Sequence, residues 1–202
     1  MDITKKIQLV QEWLCKEKMD GWLLYDFHGM NTLALQFLEI TKDKMMTRRC
    51  FYWIPAQGNP IKIVHRIESS NLDNLPGKTH VYLSWKELES SLEILKGNKN
   101  ILMEYSANNA IPYLSKVDGG MLELVRSFDC TVHSSEEILQ NFQSKESAKY
   151  LASHFEAADV LTSGLEKAWE KIKESTFSKK KINEYMIQQL LLDHFKENSC
   201  IT

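Results

Sequence analysis

Short apolar segments alternate with amphipathic segments along about the first 140 residues, and this alternation constrains the fold more than any other feature of the chain. The runs at 22–25 (WLLY), 79–83 (THVYL), 100–105 (NILMEY) and 130–134 (CTVHS) have the length and residue types of buried strands. Segments with helical spacing lie between them. Strands that alternate with helices are typical of an α/β domain.

One connection between strands is too short to hold a helix. Residues 49–54 and 61–66 have strand character and flank PAQGNP, whose proline and glycine residues favour a turn. Because a hairpin pairs its strands antiparallel, we predict a mixed β-sheet rather than a wholly parallel one.

The helices of this region carry recognisable boundary signals. Ser84 and Glu87 lie three residues apart at the start of an apolar-periodic segment, which is the pattern of a capping box. Helices are also predicted at 4–19 and at 113–128, although Gly119 and Gly120 fall inside the second and weaken its helical pattern.

The pattern changes near residue 144. From Lys145, apolar residues recur at a spacing of three and four for about 28 residues, which predicts a long helix. We expect it to end at ESTFS (174–178), and a second helix is predicted at 179–197.

The chain is accordingly divided into an N-terminal domain, 1–143, and a segment of two long helices, 144–202. The apolar residues of the second helix surround most of its circumference, so it requires burial on several sides. The last three residues, 200–202, have the character of a strand that begins.

No local motif in the sequence assembles a catalytic centre. The patterns HExxH, GxSxG and GxGxxG do not occur, and the four cysteines are isolated, as expected of reduced thiols. Asp193 and His194 are adjacent, but neighbours on a helix diverge by about 100° and cannot chelate one ion. We therefore predict no catalytic and no metal-binding residue in this chain.

Charge and hydropathy exclude two classes of partner. The formal net charge is −2 and the basic residues are dispersed, which argues against nucleic acid. No apolar run approaches the length of a membrane span and no secretory signal is visible at the N-terminus, so a cytoplasmic location is expected.

Three stretches resemble the N-terminal domain of creatinase/prolidase-type proteins, and within that group bacterial Xaa-Pro aminopeptidase-like metallopeptidases. They are 25–38 (YDFHGMNTLALQFL), 48–68 (RRCFYWIPAQGNPIKIVHRIE) and 103–127 (MEYSANNAIPYLSKVDGGMLELVRS). Residues 144–172 resemble the helix that opens the catalytic domain of such proteins. The resemblance implies a mixed sheet with helices on both faces, in a ribonuclease-H-like layout, followed by two long helices that begin a pita-bread catalytic domain.

The resemblance also implies an activity that this chain does not contain. Proteins of this kind hydrolyse the peptide bond before proline with two divalent metal ions (Mn, Co or Zn), held by two Asp, one His and two Glu. Those ligands would follow Thr202, so we expect the chain to be truncated before them, to hold no cofactor and to be inactive alone. The resemblance further implies a homodimer and a proline-containing peptide as substrate of the full-length protein.

Asn31 and Phe37 are the residues that the resemblance places close to a substrate. In such proteins the N-terminal domain of one subunit borders the partner's active site, and the segment after DFHGMN up to residue 49 is the candidate for that border. From the residues alone, Asn31 could equally cap a helix and Phe37 could belong to the core. Asn108 and Asn109 could likewise form a binding loop or satisfy backbone groups.

Two other functions share the predicted fold. Creatinase-type members hydrolyse a small guanidino compound without metal, and catalytically dead members act as protein-interaction modules. The sequence downstream of Thr202 would distinguish these alternatives from the peptidase.

Overall fold

The computed structural model describes residues 2–41, 44–143 and 148–200. The chain divides into two compact units, Met1–Lys145 and Glu146–Thr202. The predicted boundary between residues 143 and 144 adjoins a stretch outside the described residues. The predicted strand at 200–202 falls mostly outside them as well.

The first unit consists of strands and helices that alternate, apart from a single hairpin. Its strands are β1 (Gly21–Asp26), β2 (Cys50–Pro55), β3 (Ile61–His65), β4 (Lys78–Tyr82), β5 (Asn100–Met103) and β6 (Thr131–Ser134). Its α-helices are α1 (Ile3–Lys16), α2 (Thr32–Phe37), α3 (Trp85–Leu92), α4 (Gly119–Arg126) and α5 (Glu136–Gln143).

The strands form one six-stranded sheet in the order β4-β3-β2-β1-β5-β6. β2 pairs antiparallel with both β1 and β3, and the other three pairings are parallel. The predicted mixed sheet is therefore confirmed, and the 50–65 hairpin is the reason that it is mixed. All strands except β2 point the same way, so their carboxyl ends lie along one edge of the sheet.

Helices cover both faces of the sheet, as predicted. Every residue of β1 is buried, because β1 is a central strand whose successive side chains enter opposite layers. Trp22 and Leu24 enter the layer under α1, α2 and α5, whereas Leu23 and Tyr25 enter the layer under α3 and α4.

The structure corrects the predicted helix at 113–128. Helix α4 begins at Gly119, because the Asp118 side chain accepts a hydrogen bond from the Met121 amide and caps the helix there. Gly119 and Gly120 thus occupy the first turn rather than the interior. Residues 112–114 form a separate 3₁₀ turn. Helix α5 was not predicted, since a segment of eight residues gives a short periodic signal.

The second unit is a helical hairpin formed by α6 (Ala148–Ser178) and α7 (Glu184–Glu197). The break predicted at 174–178 is wrong, because α6 continues through it. The hydroxyls of Thr176 and Ser178 donate to carbonyls four residues earlier, at 2.8 and 2.7 Å, and so remain compatible with the helix. The turn comes after Ser178, where Lys179 has a φ of 55°, and Asn183 then caps α7.

Candidate functional site

Polar side chains collect in the first unit at the carboxyl edge of the sheet. Asp26 ends β1, Glu104 follows β5 and Ser135 follows β6, and all three are buried. Ligand sites of open α/β sheets lie at this edge. The arrangement combines a buried polar network with an open cleft beside it.

Glu104 is the centre of the buried network and is fully inaccessible to solvent. Its Oε1 accepts hydrogen bonds from the Trp22 indole nitrogen at 2.7 Å and from the Ser135 hydroxyl at 3.2 Å. Its Oε2 accepts one from the Asn31 side-chain amide at 2.7 Å. Burial raises the pKa of Glu104 to about 7, although the three hydrogen bonds favour the ionised form and oppose that rise.

Asn31 joins this network to helix α2. Its Oδ1 accepts from the Ala34 amide at 3.1 Å and caps the helix, while its Nδ2 donates to the Tyr25 carbonyl as well as to Glu104. Only 1% of Asn31 is exposed. The side chain predicted to lie close to a substrate is therefore enclosed, and its bonds join β1, α2 and Glu104.

Asp26 holds the 27–31 loop in a tight turn. Its carboxylate accepts from the backbone amides of Gly29 at 2.9 Å and Asn31 at 2.8 Å. Burial raises the pKa of Asp26, and these amides oppose the rise. His28 and Gly29 have φ values of 63° and 71°, and the turn leaves the side chains of His28 and Met30 exposed.

Next to this loop lies an open cleft of about 740 Å³, referred to below as the 28–47 cleft. One wall comes from the loop and α2, and the other from the segment that leads to β2. Lys44 fixes the second wall by donating to the Asn71 carbonyl at 2.8 Å, and the Glu68 carboxylate accepts from the amide and hydroxyl of Thr47. The residues that line the cleft are His28, Gly29, Thr32, Leu35, Gln36, Ile40, Thr41, Lys44, Met46 and Thr47.

Phe37 lies in the core behind the cleft. The structure buries it completely, with its ring centroid 4.6 Å from that of Trp22 and 6.2 Å from that of Phe142. The Lys6 ammonium lies 4.4 Å from the ring centroid and donates to the Phe37 carbonyl at 2.6 Å. Like Asn31, Phe37 can affect a neighbouring molecule only through the position of α2.

The 106–111 loop is shaped by backbone conformation. Asn108 and Asn109 have φ values of 53° and 54°, a region that asparagine tolerates better than most residues. The Ser106 hydroxyl accepts the Ile111 amide and closes the loop. Both asparagines therefore have an evident structural role.

Asp193 and His194 lie in the second unit, in different surroundings. His194 is buried and Asp193 is exposed. Lys167 can only donate to His194 Nδ1, at 3.1 Å, so Nε2 carries the hydrogen that is donated to the Val160 carbonyl at 3.0 Å. Within the described parts of the chain, no group of three His, Cys, Asp or Glu side chains could hold a metal ion.

Sequence reasoning missed Glu104, Trp22 and Ser135 as members of one network. An acidic residue directly after the apolar run NILM was the available signal for Glu104, because a charged residue at the end of a buried strand requires partners. Its partners are 31 to 82 residues away in the chain, and nothing local indicates which they are.

Solved structures share this fold. A prolidase from Thermococcus sibiricus superimposes with a TM-score of 0.57 at 13% identity, over 98% of this chain and 50% of that one. A prolidase from Pyrococcus horikoshii OT3 gives 0.52 at 12%, over 96% and 49%. The N-terminal domain of an Xaa-Pro dipeptidase from Lactobacillus brevis gives 0.50 at 8%, over 67% and 98%.

These comparisons define the first unit as having the fold of the creatinase-type N-terminal domain of prolidases. The whole chain spans about half the length of the prolidases from Thermococcus sibiricus and Pyrococcus horikoshii OT3. No family model matches the sequence, and no curated protein matches it either. Among the described residues, no helix is both long enough and apolar enough to cross a bilayer.

Proposed function

We propose that this chain is the non-catalytic N-terminal part of a metal-dependent Xaa-Pro aminopeptidase or dipeptidase that hydrolyses the peptide bond before proline. The observation that carries the proposal is the superposition of 96–98% of the chain on about half of two prolidases. The longer protein would act in the cytoplasm as a homodimer on proline-containing peptides.

The role proposed for this part is to shape the mouth of a neighbouring active site. The 27–31 loop and α2 present His28, Met30 and Thr32 to solvent beside the 28–47 cleft. Asn31 and Phe37 hold that surface from beneath, so they are positioning residues in this proposal. Met30, with 59% of its surface exposed, is the apolar side chain best placed to meet a peptide or a second subunit.

The two divalent metal ions (Mn, Co or Zn) of such an enzyme do not fit the residues described here. The described donor set contains no cluster that could hold one ion. The ligands, and with them the hydrolytic step, are assigned to sequence that follows Thr202.

The coding sequence downstream of Thr202 gives the first test. Two Asp, one His and two Glu in that order support the peptidase. Their loss would favour the interaction module. The exposed apolar side chains of α6 and α7 also support that alternative. A guanidino-specific pocket in their place would favour the creatinase-type amidinohydrolase.

Activity gives the second test. The longer protein with manganese should release the first residue of an Xaa-Pro dipeptide, and residues 1–202 alone should not. Turnover by residues 1–202 would refute the assignment of the chemistry to the missing part.

The role of the loop can be tested separately in the longer protein. Met30→Ser should lower kcat/KM for the dipeptide, while Leu83→Ser should leave it unchanged, since Leu83 is similarly exposed, at 54%, but follows β4 and does not belong to the 27–31 loop. Equal effects of the two substitutions would exclude the loop from the active-site mouth.

A further inference from the structure

Glu104 lies where three separate parts of the fold meet. Its side-chain partners come from β1 (Trp22), from the residue that caps α2 (Asn31) and from the residue before α5 (Ser135). Because side chains alternate along a strand, Glu104 enters the same layer as Leu102, beneath α2 and α5. A change in its charge therefore alters hydrogen bonds to all three segments.

The partners of Glu104 can serve both of its protonation states. Trp22 Nε1 and Asn31 Nδ2 can only donate, whereas a serine hydroxyl can either donate or accept. The backbone of Ser135 is fixed by bonds to Met103 and Leu139, so its hydroxyl is the group free to rotate. A protonated Glu104 can donate to Ser135 while it still accepts from Trp22 and Asn31.

In the described part of the chain, no cation forms an ion pair with Glu104 when it is ionised. The neighbouring elements carry few charged or titratable groups, and only the lysines and histidines among them could supply a cation. These groups are Lys6 on α1, Tyr25 and Asp26 on β1, His28 in the loop, Lys116 before α4, His133 on β6, and Glu136 and Glu137 on α5.

We propose that proton binding at Glu104 controls how firmly the 27–31 loop and the start of α5 close against the sheet. With Glu104 neutral, all its bonds are satisfied in a dry site and the loop is closed. With Glu104 ionised, the uncompensated buried charge favours opening, which admits water to the carboxylate. Since the loop forms one wall of the 28–47 cleft, the shape of the cleft follows the protonation of Glu104.

The coupling operates near neutral pH, because burial raises the pKa of Glu104 to about 7. It is reciprocal: opening the loop to water lowers that pKa toward the ordinary value of 4.5. If opening exposed Glu104 fully, the open population would be on the order of a hundredfold larger at a pH well above 7 than at a pH below 4.5.

The experiment is an NMR titration of residues 1–202 from about pH 5 to pH 9. The carboxyl ¹³C of Glu104 and the indole ¹H–¹⁵N resonance of Trp22, identified by its loss in Trp22→Phe, should titrate together near neutrality. Over the same interval, protection of the Gly29 and Asn31 amides should fall by tenfold or more, after correction for base catalysis of exchange. The wild-type chain alone can overturn the proposal: either resonance without a titration, or unchanged protection, would do so.

Two matched variants identify the group responsible. Asp26→Asn removes the buried carboxylate that accepts from the loop amides, and it should leave the Trp22 titration in place. Glu104→Gln should abolish it. Loss of the titration in Asp26→Asn, or its persistence in Glu104→Gln, would assign the proton elsewhere and contradict the proposal.

Discussion

Asn31 shows at the scale of one residue how a short side chain can hold the start of a helix and the loop before it in place. It caps α2, supports the carbonyl of Tyr25 and donates to the buried Glu104 carboxylate. All of these bonds lie in the interior, where an unmade bond costs more than the same bond contributes at the surface.

Asn31→Ala should therefore lower the free energy of unfolding by about 2–4 kcal/mol, from loss of the helix cap and of a donor to a buried carboxylate. Urea denaturation followed by circular dichroism measures the change. Thr32→Ala is the matched control, since Thr32 is exposed on the same turn, and it should cost less than about 0.5 kcal/mol. A small loss at Asn31 would mean that the network contributes little to stability.

The titration of Glu104 makes stability depend on pH in a defined window. Its pKa is about 7 in the folded chain against an ordinary 4.5, so the folded state holds this proton more tightly. The corresponding stability is fully present below pH 4.5 and is lost as pH rises through 7. The loss amounts to about 3 kcal/mol, from 1.36 kcal/mol for each unit of pKa.

Denaturation at a series of pH values checks this sign. The decline between about pH 5 and pH 8 should be reduced in Glu104→Gln, where the raised pKa of Asp26 still acts in the same direction, and persist in full in Glu123→Gln, which alters an exposed carboxylate on α4. Glu68 and Glu87 have lowered pKa values, so their contributions are lost only on the acid side of this window. A stability that rises with pH across the window would contradict the role of Glu104.

At the scale of the element, the sequence predicted the features that depend on residues close together in the chain. The capping box of Ser84 and Glu87 is present, and the hairpin pairs as its turn residues indicated. The start of α4 was misplaced, because the sequence alone did not show that Asp118 supplies the cap. The candidate site was only partly predictable: the alternative that Asn31 caps a helix is confirmed, whereas its bond to Glu104 spans 73 residues and has no local signal.

The α6–α7 hairpin depends on one glycine. A Cβ at Gly164 would lie 2.8 Å from Cδ2 of the buried His194 ring, so the two helices approach closely where α6 has no side chain. At an exposed position inside a helix, Gly→Ala would stabilise the helix by about 1 kcal/mol. At position 164 we expect the collision with His194 to outweigh this gain in stability, because that ring is held by Lys167 and the Val160 carbonyl.

Gly164→Ala should therefore destabilise the hairpin, which hydrogen exchange of the α7 amides in the whole chain would register as faster exchange. The double variant Gly164→Ala with His194→Ala removes the obstacle, and the alanine at 164 should then slow exchange relative to His194→Ala alone. Slower exchange in the single variant would show that the hairpin can move apart without cost.

At the scale of the whole molecule, the two units differ in how they use their apolar residues. The first unit encloses them between sheet and helices, whereas much of the apolar surface of α6 and α7 faces solvent. Helix α7 packs against the side of α6 that carries Gly164 and Ala168. This leaves Leu161, Leu165 and Trp169 exposed by 61, 56 and 56%.

Apolar side chains exposed in a continuous helical stripe favour association, so residues 1–202 should form dimers or larger species as concentration rises. Light scattering across a concentration series measures this. Replacing Leu161, Leu165 and Trp169 together by Gln should shift the chain toward the monomer, because the stripe on α6 loses its apolar area while His194 and Gly164 keep the hairpin intact. Gln in place of Ile67 and Leu83, which are exposed on the first unit, is the matched control and should leave the association unchanged. A wild-type chain that stays strictly monomeric at high concentration would show that the stripe does not drive association.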